Sequence, residues 1–387
     1  MQRVTKMTSI HPMSLTDRCV KKKRNSSLEL FRIFVMLLIV MHHYVVHSGL
    51  LDEIVKNPIG NIYFFLFGMW GKVGINCFVL ITGYFMCQSK ITLHKFLKLF
   101  LEVEFYSIIL GAIFIASGYT PFSWRYLYSM LIPFNGVSSN FTACFLLFYL
   151  LIPFLNTCIN NINKKQHLSL LLLCVFIYTV LGSLSFINEV SFNYVTWFCV
   201  LYVIASYLKK YPTIYDNSFR FWGIMTAFNL FISVFSIVLI IYVMDYFDLK
   251  QNFFRAGFFL IDSNKILALS LSVSMFMMFK NLRLKYSKVI NTIGSCTFGV
   301  FLIHDFFGGM RPWLWKDVCQ TLYFYHHGNI YFHSILACVL VFVVCALIDF
   351  LRQKTVEQPL LHLAESFILR QKLRICRHYE KRAMRET

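Results

Sequence analysis

Ten apolar runs of span length punctuate the 387-residue chain, each bounded by short polar stretches. They lie at about 28–48, 64–87, 96–117, 141–159, 168–186, 192–208, 219–243, 265–281, 290–309 and 330–350. Runs of this length point to α-helices, because about 20 apolar residues at 1.5 Å each cross the hydrocarbon core of a bilayer. A membrane β-barrel would show shorter segments of alternating hydrophobicity. The pattern predicts an all-α, polytopic transmembrane helical bundle of about ten spans. The second run is long enough to hold a break around Gly68–Gly74. The segments between runs are too short for a separate folded module. The chain therefore divides into a basic segment 1–27, a membrane domain 28–350 and a basic tail 351–387. The first run follows a basic stretch, as in a signal peptide, but it is span-length and no small-residue cleavage site follows it. It reads as a retained signal-anchor.

Composition agrees with the pattern. The chain is 58% hydrophobic and only 14% charged, with a mean hydropathy of +0.61, whereas soluble domains are about 45–50% apolar and a quarter charged. The formal charge of +19 is a topology signal before it is anything else. Of the 37 Lys and Arg residues, 28 fall in the two ends and the alternate loops that share their side, and eight fall on the other side. That bias predicts both termini in the cytoplasm. It also predicts contact with anionic lipids, not with nucleic acid. The twelve cysteines include no Cys-x-x-Cys pair and mostly sit inside apolar runs, where they read as packing residues.

The first span carries the candidate chemistry. Glu29, Arg32 and three histidines stand inside an apolar run, where a charge or an imidazole is costly and marks a functional site. At 100° per residue, Glu29, Arg32, Met36, Val40, His43 and His47 share one stripe, and His42 points a quarter turn away. Arg32 and His43 are about 16 Å apart along the helix axis. Arg32 falls near the cytoplasmic surface and His43 well inside. His43 and His47, at i and i+4, have metal-ligand spacing. No acidic or cysteine ligand is read at that depth, so no metal is expected.

Other polar groups supply candidate partners. The ninth span carries His304 at a depth matching His43, so the two can line one cavity; an interfacial position is the other reading. Glu102, in the third span at about the depth of Arg32, is expected to form a structural ion pair with it, and Asp349 to form a similar pair. Lys90, His94, Lys95 and Lys98 cluster at a span mouth, mainly as a topology signal and secondarily as a hold for the phosphates of a large anionic donor. Small residues in Gly71–Phe85 permit close helix approach. Asn76 and Tyr84 in that segment are candidate substrate contacts, together with His304, Lys95 and Lys98. Asn140-Phe141-Thr142 fits a glycosylation sequon.

In these features the chain resembles the acyltransferase 3 family of integral-membrane acyltransferases along nearly its whole length. The resemblance rests on Glu29-Leu30-Phe31-Arg32 followed by ten residues and His43, on Gly74 to Tyr84, on Thr297 to His304, and on Tyr149 to Asn156. There are departures. Asn140 stands where tryptophan is common, Phe145 where tyrosine is common, Thr82 in place of serine, and lysines where some members carry arginine after the second span. The resemblance implies an O-acyltransferase of the bacterial inner membrane with no bound cofactor. It implies acyl-CoA, such as acetyl-CoA, as cytoplasmic donor and a surface glycan or its lipid-linked precursor as acceptor. His43 would be the general base and Arg32 would hold a donor phosphate or the charge developing on the carbonyl, with Glu29 orienting Arg32. A transporter or flippase is the competing class, since intramembrane Arg, Glu and His also make solute or proton paths. The lack of a repeated half weighs against it.

Overall fold

The computed structural model describes residues 24–89, 91–132, 134, 140–184, 193–249 and 252–360. Most of the basic segment 1–27, Lys90 and the tail beyond Leu360 lie outside them. The described residues contain helices and no strand. Each predicted span is helical: α1 (Ser26–His47), α2 (Ile62–Met86), α3 (Leu93–Ala116), α4 (Phe141–Asn161), α5 (Lys164–Ser183), α6 (Tyr194–Lys210), α7 (Phe219–Tyr246), α8 (Ile266–Lys280), α9 (Lys288–Phe306) and α10 (Ile330–Leu360). Eight are long and apolar enough to cross a membrane; α6, with 17 residues, and α8, with 15, are shorter. The chain is an all-α polytopic membrane bundle.

Local signals set the ends of these helices. Asn25 caps α1 by accepting from the Ser27 and Leu28 N–H groups, and Glu29 in the first turn complements the helix dipole. Asn140 caps α4 in the same way, accepting from Thr142 N at 2.9 Å. The anticipated break in α2 falls at Met69–Trp70, between Ile62–Gly68 and Gly71–Met86.

The first helix runs through the middle of the bundle, packed against α2, α8, α9 and α10. Its Phe31, Val35, Val40, Tyr44 and Val45 are fully buried. Glycines let the neighbours come close: a side chain at Gly71 of α2 would collide with the His42 ring, and one at Gly294 of α9 would meet Glu29 Oε2 at 2.6 Å. The last turn of α9, Leu302–Phe306, is a wide π turn. Such turns insert one extra residue per loop of helix and recur at functional sites. Here it holds His304 and Asp305.

One expected ion pair is different. Glu102 does not pair with Arg32; its Oε1 lies 2.9 Å from Arg352 NH2. Arg32 is met by Glu29, one turn back on its own helix, while Glu102 faces α10. Arg352 also contacts Asp349 at 2.8 Å and Glu357 at 3.0 Å. Asp349 accepts from Tyr106 OH at 2.7 Å and from Gln353 Nε2 at 2.7 Å. These groups join α3 to α10 in a buried charged network.

Candidate active site

Three voids lie in series along the α1 stripe. At the Arg32 end, a vestibule of about 300 Å³ is bordered by Arg24, Arg32, Lys95, Lys98, Glu102 and Thr82. Arg32 NH1 donates to Glu29 Oε1 at 3.2 Å and to Oε2 at 3.4 Å. Glu29 is 5% exposed, and Arg24 NH1 stands 3.8 Å from its Oε1. The carboxylate is thus fixed from both sides and in turn fixes the guanidinium.

Between the vestibule and the next chamber lies a small void, the waist, of about 10 Å³, at the lower limit for a single water. Phe78 and Phe298 border both vestibule and waist, while Ile75, Phe141 and Phe301 border both waist and the next chamber. Their rings form a ladder, with Phe78–Phe298 at 6.3 Å, Phe78–Phe141 at 6.4 Å and Phe141–Phe301 at 5.1 Å between centroids. His43 continues it, 6.4 Å from Phe301.

The chamber beyond holds about 640 Å³ and is polar. His42, His43 and His47 of α1 face Lys72, Asn140, Tyr194, Asp262, Asp305 and Arg311 from six other segments. Lys72 Nζ donates to Tyr194 OH at 2.5 Å. His42 donates from Nδ1 to the Gly68 carbonyl, 2.5 Å away, because a carbonyl can only accept.

The same reasoning fixes the tautomer of His43. His304 Nδ1 lies 2.6 Å from the Val300 carbonyl and must donate to it. The Nε2 of neutral His304 is then an acceptor, and His43 Nδ1, at 2.9 Å, is its donor. The lone pair of neutral His43 is left on Nε2, at a ring that borders the chamber. Asp305 adds a second orienting charge. Its Oδ1 is 3.5 Å from His43 Nδ1, 3.1 Å from His47 Nε2 and 2.9 Å from Arg311 Nε, and its Oδ2 accepts from Arg311 NH2 at 3.1 Å. This arrangement can hold an imidazole as a base at the edge of a space lined by hydrogen-bonding groups.

Of the candidates named from sequence, the structure brings His43 against His304, Arg32 against Glu29, and Lys95 and Lys98 to the Arg32 vestibule. Both ring nitrogens of His304 are engaged, by Val300 and by His43, so the ring has none left for a substrate. Lys98 pairs with Glu357 at 2.5 Å. Tyr84 and Asn76 lie elsewhere. Tyr84 stacks edge-on with Phe276 at 5.3 Å, under Lys209 at 4.2 Å from its ring. Asn76 is fully buried, donating to the Ser263 carbonyl at 2.7 Å and accepting from Trp197 Nε1 at 2.9 Å. Lys72, Arg311, Asp262 and Tyr194 also line the chamber. Their runs carry no periodic signal, though Asp305 stood next to His304 as a second intramembrane charge.

Asp305 also supplies the acidic group that the sequence reading lacked at this depth. Ligand atoms of His43, His47 and Asp305 all lie within 4.8 Å of one another. Arg311 already neutralises the carboxylate, and His43 Nδ1 is already bonded to His304, so a divalent ion held through these atoms would have to displace both.

An acyltransferase-domain family model matches residues 25–350, a stretch that contains the vestibule, the waist and the chamber. No curated protein and no solved structure matches the chain. The chain belongs to the acyltransferase 3 family and is a membrane acyltransferase.

Proposed function

We propose that the protein moves an acyl group from acyl-CoA, bound at the Arg32 vestibule, to a hydroxyl of a surface glycan or its lipid-linked precursor in the His43 chamber. The observation that carries this reading is the chain of bonds from the Val300 carbonyl through His304 to His43, which leaves His43 Nε2 as a base facing a polar cavity. The charge bias supports a vestibule on the cytoplasmic side, where acyl-CoA is made. Arg32, with Lys95 and Lys98 nearby, holds donor phosphates. Its distance from His43, about 16 Å along the helix, favours that role over contact with the reacting carbonyl.

In the reaction, the sugar oxygen attacks the thioester carbonyl carbon and His43 Nε2 takes the hydroxyl proton. The C–O bond forms, the C–S bond breaks, and the proton passes from His43 to the departing sulfur. His304 and Asp305 position His43. The chamber's mixture of amide, hydroxyl, carboxylate and cationic groups suits a polyhydroxylated acceptor.

The test is reconstitution in proteoliposomes with acyl-CoA on the basic side. Free thiol should appear only when a glycan acceptor is present, and the glycan should gain the acyl mass. Glycan movement across the bilayer without thiol release would replace this reading with a transporter. Within it, His304→Ala is expected to lower kcat about 10- to 100-fold with the donor KM nearly unchanged, because His43 loses the acceptor that orients it. Arg32→Lys keeps the charge but loses the guanidinium fork. The donor KM should rise about 10-fold while kcat changes little, read from initial rates across acyl-CoA concentrations. A chelator should leave the rate unchanged; loss restored by one divalent ion would instead assign His43, His47 and Asp305 to a metal.

A further inference from the structure

We propose that the aromatic waist between vestibule and chamber is a filter that admits slim, uncharged acyl groups and rejects carboxylate-bearing or bulky ones. This rests on the reading that the donor binds at Arg32 and reacts at His43. If so, the arm carrying the thioester must thread the waist. The other large cavity, a groove of about 1230 Å³ between α3 and α10, borders His304 but not His43. The lining is entirely apolar: Met36 and Ile39 of α1, Ile75 and Phe78 of α2, Phe141 of α4, and Phe298 and Phe301 of α9. At about 10 Å³ it is too small for an acyl chain in this conformation, so passage needs the lining rings to rotate.

Two consequences follow from the chemistry of that lining. A carboxylate on the acyl group, as in a dicarboxylic half-thioester, has no partner within the waist. A charge at the centre of an apolar span is disfavoured by an amount equivalent to roughly a 100-fold change in rate. A longer or branched acyl group needs space that the rings of Phe78 and Phe298 occupy. Each surplus methylene in a filled apolar site reduces transfer by about 10-fold or more.

The experiment compares acetyl-, butyryl- and succinyl-CoA as donors for the full-length protein in proteoliposomes, reading kcat/KM by acceptor-dependent thiol release. Acetyl should exceed butyryl, two methylenes longer, roughly 100-fold, and should exceed succinyl, which adds a charge to that length, by more. Phe298→Ala should raise the butyryl-to-acetyl ratio about 10-fold, and Ile75→Trp should depress all three donors. Succinyl transfer as fast as acetyl transfer in the unaltered protein would overturn the filter, with no variant required. So would a butyryl-to-acetyl ratio that stays fixed in Phe298→Ala, or in Phe78→Leu should Phe298→Ala not fold. Absence of thiol release with every donor and acceptor would instead overturn the functional reading beneath it.

Discussion

Replacing His43 with alanine is expected to lower acyl transfer by roughly 10²–10⁴-fold, the range for loss of a general base. The expectation follows from the bonds that hold the ring. His304 occupies Nδ1, and of the other groups near the ring His47 and Arg311 are both committed to Asp305, which leaves His42 as the second imidazole bordering the chamber. The substitution also strands His304 Nε2, a smaller effect that His304→Ala mirrors by stranding His43 Nδ1. The comparison of the two variants therefore separates the chemistry from the support. His43→Ala should reduce kcat at least several-fold more than His304→Ala, at equal amounts of inserted protein and with similar donor KM. A His43→Ala protein that transfers acyl groups at close to the native rate would remove His43 from the reaction.

The second large effect concerns the fold. Replacing Arg352 with methionine is expected to destabilise the protein by about 3–5 kcal/mol, the cost of breaking a buried ion pair by removing one partner. Arg352 is 7% exposed and reaches three carboxylates, Glu102, Asp349 and Glu357. Methionine fills a similar volume but leaves those acids facing one another with Tyr106, Gln353 and Lys98 as remaining partners. A lowered unfolding midpoint in a denaturing-detergent titration checks this. Adding Asp349→Asn to Arg352→Met should recover part of the loss, because it removes one of the stranded charges. An unshifted midpoint would mean that the acids relax into water or lipid headgroups without cost.

Several features of the molecule are legible from the chain alone because they are properties of one helix or of summed transfer energy. Apolar runs produce helices wherever they fall, since a backbone in lipid must bond to itself. The α1 stripe is likewise local: Glu29, Arg32 and His43 share a face because of the 100° turn per residue, and Glu29 meets Arg32 because they are three residues apart. Even the match in depth between His43 and His304 follows from rise per residue.

What the chain could not reveal by itself is how each helix is rotated and how closely it approaches its neighbours. Glu102 stands at the depth of Arg32 and borders the same vestibule, yet it turns to Arg352. Asn76 and Tyr84 belong to a recognisable segment, but their rotation sends one to Trp197 and the other to Phe276. His304 and Asp305, adjacent in the wide turn at Leu302–Phe306, both reach His43 on α1, a convergence set by how α9 packs against α1. Sequence determined the bundle, its charge bias and the polar stripe, which depend on composition and helical period. Tertiary structure decided the His304–His43 bond, the His47–Asp305 contact and the waist, because these arise where separate helices pack and no local pattern encodes that meeting.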